Sequence, residues 1–130
     1  MWLSFTPPIQ ARKRGAIRVL IAIAPRMYGE ALAYALAKNR PQAEVVRVEA
    51  GELDGQLDGF HPQLVVCNAA TIQVKALAAS WVVLSYEARG ITASVYLQGR
   101  RSTVEDVQVA DMVALMDEAE RLSDASQGGG

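Results

Sequence analysis

Apolar positions along the chain fall into short blocks separated by proline, glycine and charge, and the spacing differs from block to block. The stretch HPQLVVCN, residues 61–68, opens on Pro62, runs through Leu64, Val65, Val66 and Cys67 without a polar break, and ends on Asn68. An unbroken apolar run with β-branched residues at its centre predicts a strand buried on both faces. IRVLIAIA (17–24), apolar except for Arg18, predicts another, closed by Pro25. Met27, Ala31, Leu32, Ala35 and Leu36 then recur at helical spacing, with Glu30, Lys38 and Arg40 toward water. A helix is expected to about Arg40, where Pro41 stops it. AEVVRVEA (43–50) alternates as a second strand, and GELDGQLDGF (51–60), with its three glycines, allows only a short, fraying helix.

Beyond the 61–68 strand, AATIQVKALAA (69–79) fits a helix with Ile72, Ala76, Leu77 and Ala79 on its inner face. SWVVLSY (80–86) is the fourth strand, EARGIT a short link, and ASVYLQG (93–99) the fifth. Ser102 and Glu105 have the spacing of a capping box, so the last helix is expected to start there. Val109, Met112, Val113, Met116 and Ala119 make its apolar stripe, and Glu105, Asp106, Asp111, Asp117, Glu118 and Glu120 make its outer side acidic. SDASQGGG (123–130) is expected to be a flexible tail. Residues 1–16 read as a basic extension, with Pro7 and Pro8, the cations Arg12, Lys13 and Arg14, and the aromatics Trp2 and Phe5.

Strands alternating with helices predict an α/β domain over 17–122, a doubly wound, flavodoxin-like sheet of five parallel strands in the order 2-1-3-4-5. Composition narrows the class further. Apolar residues are 51% of the chain, which excludes disorder throughout. A net charge of -1 gives no global pull toward nucleic acid or anionic membrane. The single cysteine excludes an internal disulfide and fits a reducing cytoplasm. The single histidine leaves no multi-histidine metal site. No apolar run nears the roughly 20 residues of a membrane span.

IRVLIA followed by a helix, then PQLVVCN, VVLS, and VYLQ before a final helix, occur in the order of the receiver domains of two-component response regulators. The chain resembles that family over 17–122. In the family an aspartate ending strand three accepts a phosphoryl group and an acidic pair after strand one helps to hold magnesium. A hydroxyl ending strand four and a lysine ending strand five contact the phosphoryl oxygens. Carried over, the acceptor position falls on Asn68, the acidic pair on Ile23 and Ala24, the hydroxyl on Ser85 and the lysine on Gln98 or Gly99. Only Ser85 keeps the pattern. An amide cannot form an acyl phosphate, and Ile23 and Ala24 offer magnesium none of the hard oxygen ligands it needs. The resemblance implies a degenerate receiver with no metal and no cofactor.

Only about eight residues separate Ser85 from the fifth strand, too few for a loop and a full crossover helix. The family's fourth helix is therefore expected to be reduced or missing, leaving the strand-four and strand-five region partly uncovered as a candidate interface. Trp81, Tyr96, Val109, Met112 and Met116 are the candidate contact residues. Cys67, inside an apolar strand, reads as an inert core thiol. His61 reads as a turn residue, and Glu49 ends strand two where dinucleotide-binding domains place a ribose-binding acid. APRMYGE, after strand one, has no glycine-rich phosphate loop.

These features point to a stand-alone, non-enzymatic signalling module in the cytoplasm that acts through protein contacts, with homodimerisation through the last helix or the strand-five edge as its concrete form. The alternative is a flavodoxin-like domain that binds a small molecule in the crevice beyond strands one and three. The acidic last helix argues against direct nucleic-acid contact.

Overall fold

The computed structural model describes residues 16–129. The expected basic extension, with Trp2, Phe5 and Arg12–Arg14, lies outside the described residues apart from Ala16. Six strands form one sheet: β1 (Arg18–Ala22), β2 (Glu44–Arg47), β3 (Leu64–Cys67), β4 (Ser80–Glu87), β5 (Gly90–Leu97) and β6 (Arg100–Val104). Four α-helices accompany them among the described residues: α1 (Arg26–Asn39), α2 (Leu53–Phe60), α3 (Ile72–Leu77) and α4 (Val109–Gly129). A 3₁₀ turn, Ala50–Glu52, leads into α2.

The sheet runs β2-β1-β3-β4-β5-β6. The pairs β1–β2, β1–β3 and β3–β4 are parallel, while β4–β5 and β5–β6 are antiparallel. The chain is thus α/β with a mixed six-stranded sheet, and the expected all-parallel five-stranded sheet is corrected. The cause is the short link. A parallel neighbour needs a crossover of a dozen or more residues, whereas Glu87 pairs with Gly90 and β4 simply turns back on itself. No helix stands between β4 and β5.

A second hairpin follows at once. Gln98 and Gly99 both have positive φ, 45° and 94°, which suits the right-handed twist of the strands they join. β6 therefore occupies the stretch where the capping box was expected. Ser102 pairs with Val95, and Thr103 with Ser94. The strand-five edge is corrected as well, because β5 is interior and β6 is the edge. α4 starts later, after Gln108, whose backbone N–H donates to the Asp111 carboxylate at 2.8 Å.

Alternate residues of the strands build two cores. On one side α1 and α4 cover Val19, Ile21, Leu64, Val66, Val82, Leu84, Ala93 and Val95 with Leu36, Met112, Val113 and Met116. On the other, α2 and α3 cover Leu20, Ala22, Val65 and Cys67 with Leu53, Leu57 and Val74. Met27 of α1 and Ile72 and Leu77 of α3, expected to face inward, are exposed. The expected flexible tail is also corrected, because α4 continues to Gly129. Ser123 is buried, and its hydroxyl accepts from Gln63 Nε2 at 2.8 Å. Near the other end of α1, Arg40 donates twice to Asp117, at 2.8 and 2.6 Å, and ties α1 to α4.

Candidate functional site

Two regions concentrate the residues with chemical potential: the end of β3, and the outer half of the sheet over β4–β6. At the first, β3 leaves its apolar run at Asn68, one residue past the Ala22–Cys67 pair that aligns it with β1. The side chain of Asn68 bridges its two neighbours. Its Oδ1 accepts from the Ala24 backbone N–H at 2.7 Å, and its Nδ2 donates to the Leu84 carbonyl at 3.0 Å. Both amide functions are thus spent on holding the end of β1 to β4. Each such bond is worth about 1 kcal/mol net.

Of the other residues mapped to the degenerate phosphorylation pocket, Ile23, Ala24 and Ser85 stand at this same end of the sheet and Gln98 does not. Ile23 is buried and faces the α1–α4 side. Ala24 is exposed and contributes a backbone N–H. Ser85 is exposed and lies opposite Thr92; strand alternation puts it on the same face as Trp81 and Val83. Gln98 belongs to the opposite end of the sheet, where its N–H donates to the Ala79 carbonyl. Five residues of β4 separate that contact from the Leu84 carbonyl held by Asn68, about 16 Å at strand rise. The antiparallel turn of β5 is the cause, since it carries the end of the strand back to the start of β4.

Cys67, beside Asn68, is buried, and burial pushes its thiol up to about 11. A neutral buried thiol is a core residue. Glu49 joins a reciprocal cap with Glu52 and accepts from Arg47 at 3.0 Å. His61 ends α2 with φ 52°, and its carbonyl accepts from Arg18 Nε at 2.9 Å. No group of three His, Cys, Asp or Glu side chains among the described residues is placed to hold a metal ion. No helix among them is long and apolar enough to cross a membrane.

A cavity of about 220 Å³ does lie near this end of the sheet, between α1 and the start of α4. Ile23, Leu32, Leu84, Ile91 and Met112 line it. Tyr28 and Tyr86, both exposed, meet edge to face beside it at 5.4 Å. It opens beyond β1 and β4, and of the crevice residues considered from the sequence only Ile23 lines it.

The second region exists because the β4–β5 connection is a hairpin. On the α2–α3 side of the sheet the helical cover thins at β4, where Trp81 and Val83 still pack partly against the core under α2 and α3, and a shallow groove of about 560 Å³ is left beyond it. Trp81 and Tyr96 are cross-strand partners in it, and their rings stack at 4.2 Å and 18°. Arg101 lies over the Tyr96 ring at 5.9 Å. Lys75 of α3 lines the near wall, and Ser94 and Thr103 line the floor.

The five candidate contact residues therefore separate. Trp81 and Tyr96 share this groove. Val109 is exposed on the far side of the sheet, and Met112 and Met116 are buried beneath α4. These two methionines are core, which corrects their reading as contact residues: an apolar stripe on a helix faces its own sheet before it faces a partner. Lys75 and Arg101 were missed from the sequence. Recognition of the two hairpins would have placed Arg101 opposite Tyr96; nothing in the local pattern around Lys75 marked it.

No family model matches the chain, and no match was found among curated proteins or solved structures.

Proposed function

We propose that the chain is a degenerate receiver-like module that works in cytoplasmic signal transduction through protein contacts, without accepting a phosphoryl group and without a catalytic step. The single observation that carries this reading is the engagement of Asn68. At the position where a receiver presents its acceptor, an amide spends its oxygen on Ala24 and its nitrogen on Leu84. An amide is chemically unable to form an acyl phosphate, and this one braces two strands instead of facing a ligand. The flavodoxin-like ancestry belongs to the same proposal, with the fourth helix replaced by the β4–β5 hairpin and β6 added at the edge.

The test is intact mass with acetyl phosphate and magnesium. An unchanged mass is expected, and a gain of one phosphoryl group overturns the reading. Light scattering tests the homodimeric form. In an antiparallel pair of β6 edges centred on Ser102, Arg101 would meet Thr103 of the second copy, so like charges would not oppose one another. Thr103, whose backbone groups face the free edge, is the position to test: a dimer that dissociates in Thr103→Pro is the expected result, and a monomer at all concentrations removes it.

A second reading is favoured by the apolar cavity between α1 and α4. Its lining suits a small apolar ligand. Methyl shifts of Ile23 and Met112 on titration with a one-ring aromatic would support it; unchanged shifts would remove it.

A further inference from the structure

We propose that the open face of β4–β6 is the docking site for an acidic amphipathic helix of a partner protein. The inference rests on the binding-module reading and names the partner's chemistry. Three observations carry it. The first is a missing layer. Elsewhere both faces of the sheet are covered by helices, but on the α2–α3 side no residue of β5 or β6 joins the covered core and only Trp81 and Val83 of β4 pack partly against it, because a hairpin stands in for the crossover helix. From β4 to β6 is two strand spacings, about 10 Å, which matches the diameter of one helix. A helix over β5 would lie about 10 Å from one over β3, an ordinary helix-packing distance.

The second observation is the apolar content of the face. The Trp81–Tyr96 stack lies in the groove, and Ala70 and Val83 line it beside the stack. A partner helix would set its apolar stripe on the stack. The third is charge. The charged side chains that line the groove are Lys75 and Arg101. Neither forms an ion pair among the described residues. They flank the stack from opposite walls, and carboxylates along the two edges of a docked helix would meet both.

Charge also decides among other occupants. Residues 1–15 of the chain contain Arg12, Lys13 and Arg14 and no acid, a charge that does not complement the groove. Nucleic acid is disfavoured because the face offers two cations, few phosphate contacts' worth of affinity. The aromatic faces are also engaged, since Tyr96 lies between Trp81 and Arg101.

The experiment uses the full chain, isotope-labelled, and follows backbone amides and the Trp81 indole by NMR. The probes are a synthetic 18-residue helix of leucine and glutamate, the same helix with lysine for glutamate, and an oligothymidylate. The glutamate helix is expected to shift Trp81, Ser94, Tyr96 and Thr103. Its affinity should fall at least tenfold in the K75E/R101E double variant and persist in K75R/R101K, with both spectra otherwise native. Equal binding of the lysine helix, tighter binding of the oligothymidylate, or no shift on this face overturns the proposal. Shifts centred on Tyr28 and Tyr86 also overturn it, yet leave the binding-module reading intact. Phosphoryl uptake in the mass experiment overturns that reading whatever the peptides do.

Discussion

The two faces of one sheet are built from alternate residues of the same strands, and they have opposite fates. In β4, Val82 and Leu84 point under α4 and are buried, while Trp81, Val83 and Ser85 point the other way and are increasingly exposed toward the end of the strand. In β5, Ala93, Val95 and Leu97 are buried, while Ser94 is exposed and Tyr96 half-buried. Composition follows the difference: one side is aliphatic and closed, the other aromatic, hydroxylic and cationic. A strand whose two sides differ in this way is designed for one covered face and one wet face. The open face is thus written into the residues of β4 and β5 as well as into the hairpin that joins them.

The most severe way to break the comparison is to empty the closed side. Met116 is fully buried between α4 and the sheet. Met116→Ala should lose about 2–5 kcal/mol in urea unfolding. Trp81→Ala, which removes a larger side chain from the open side, should lose less than Met116→Ala. An equal or larger loss for Trp81 would mean that the face is as packed as the other.

Next in size is the brace at the end of β3. Asn68→Ala removes two hydrogen bonds and leaves the Leu84 carbonyl short of a donor, for a loss of about 1–3 kcal/mol. Asn68→Asp keeps the acceptor for Ala24 but sets a carboxylate oxygen against the Leu84 carbonyl, so it should also destabilise at neutral pH. A neutral or stabilising Asn68→Asp would show that the site tolerates the anion of an acceptor, against the degenerate reading.

The hairpin that leaves the face bare has its own sensitive residue. Gly90 sits at φ 144°, and a Cβ there would come within 2.9 Å of Asp106 Oδ1. Gly90→Ala should cost about 1–3 kcal/mol. Because the turn sets β5 antiparallel to β4, the same variant should weaken the Trp81–Tyr96 stack, read as a change in near-ultraviolet circular dichroism.

Most of the closed side was legible in the sequence; of the open side, the partly uncovered β4–β5 region with Trp81 and Tyr96 was legible, while β6, Lys75 and Arg101 were not. Runs such as Leu64–Cys67 and Val19–Ala22 are apolar on both faces, and only a central strand with helices on both sides buries both. The residues of α4 at 112, 113, 116 and 119 follow the helical period, so their burial was readable too. The misplacements have two physical sources. Direction of β5 is not encoded in its own pattern, because alternation is the same for either sense; only the length of the link decides it, and that link was too short for a crossover. Ser102 and Glu105 have the spacing of a cap, but Thr103 and Val104 pair with Ser94 and Ala93, and ladder formation took them. Once β5 reverses, Gln98 leaves the end of the sheet where Asn68 sits. The site mapped by resemblance then loses its strand-five member for a reason of topology rather than of residue type.

Cys67 gives a comparison across pH. Burial raises its thiol from 9.0 to about 11. The folded chain keeps that proton while the unfolded chain releases it above about 9, so this contribution to stability is whole below pH 9 and is lost as pH rises toward about 11. Alkylation by iodoacetamide at pH 8 should accordingly be slow in the folded chain and fast in urea. Fast reaction of the native chain would mean that the end of β3 opens readily, and that the Asn68 brace does not hold it.

The smallest effect is expected where function is proposed. Arg101 is exposed on the edge strand, and its visible partner is the Tyr96 ring at 5.9 Å. A cation over an aromatic ring at such a site is worth about 0.5–1 kcal/mol, so Arg101→Ser should change stability by no more than about 1 kcal/mol. The same substitution should weaken the glutamate helix severalfold, because a charge that contributes little to folding is free to contribute to a partner. A large loss of stability with unchanged binding would invert that assignment and make Arg101 a structural clamp on the stack.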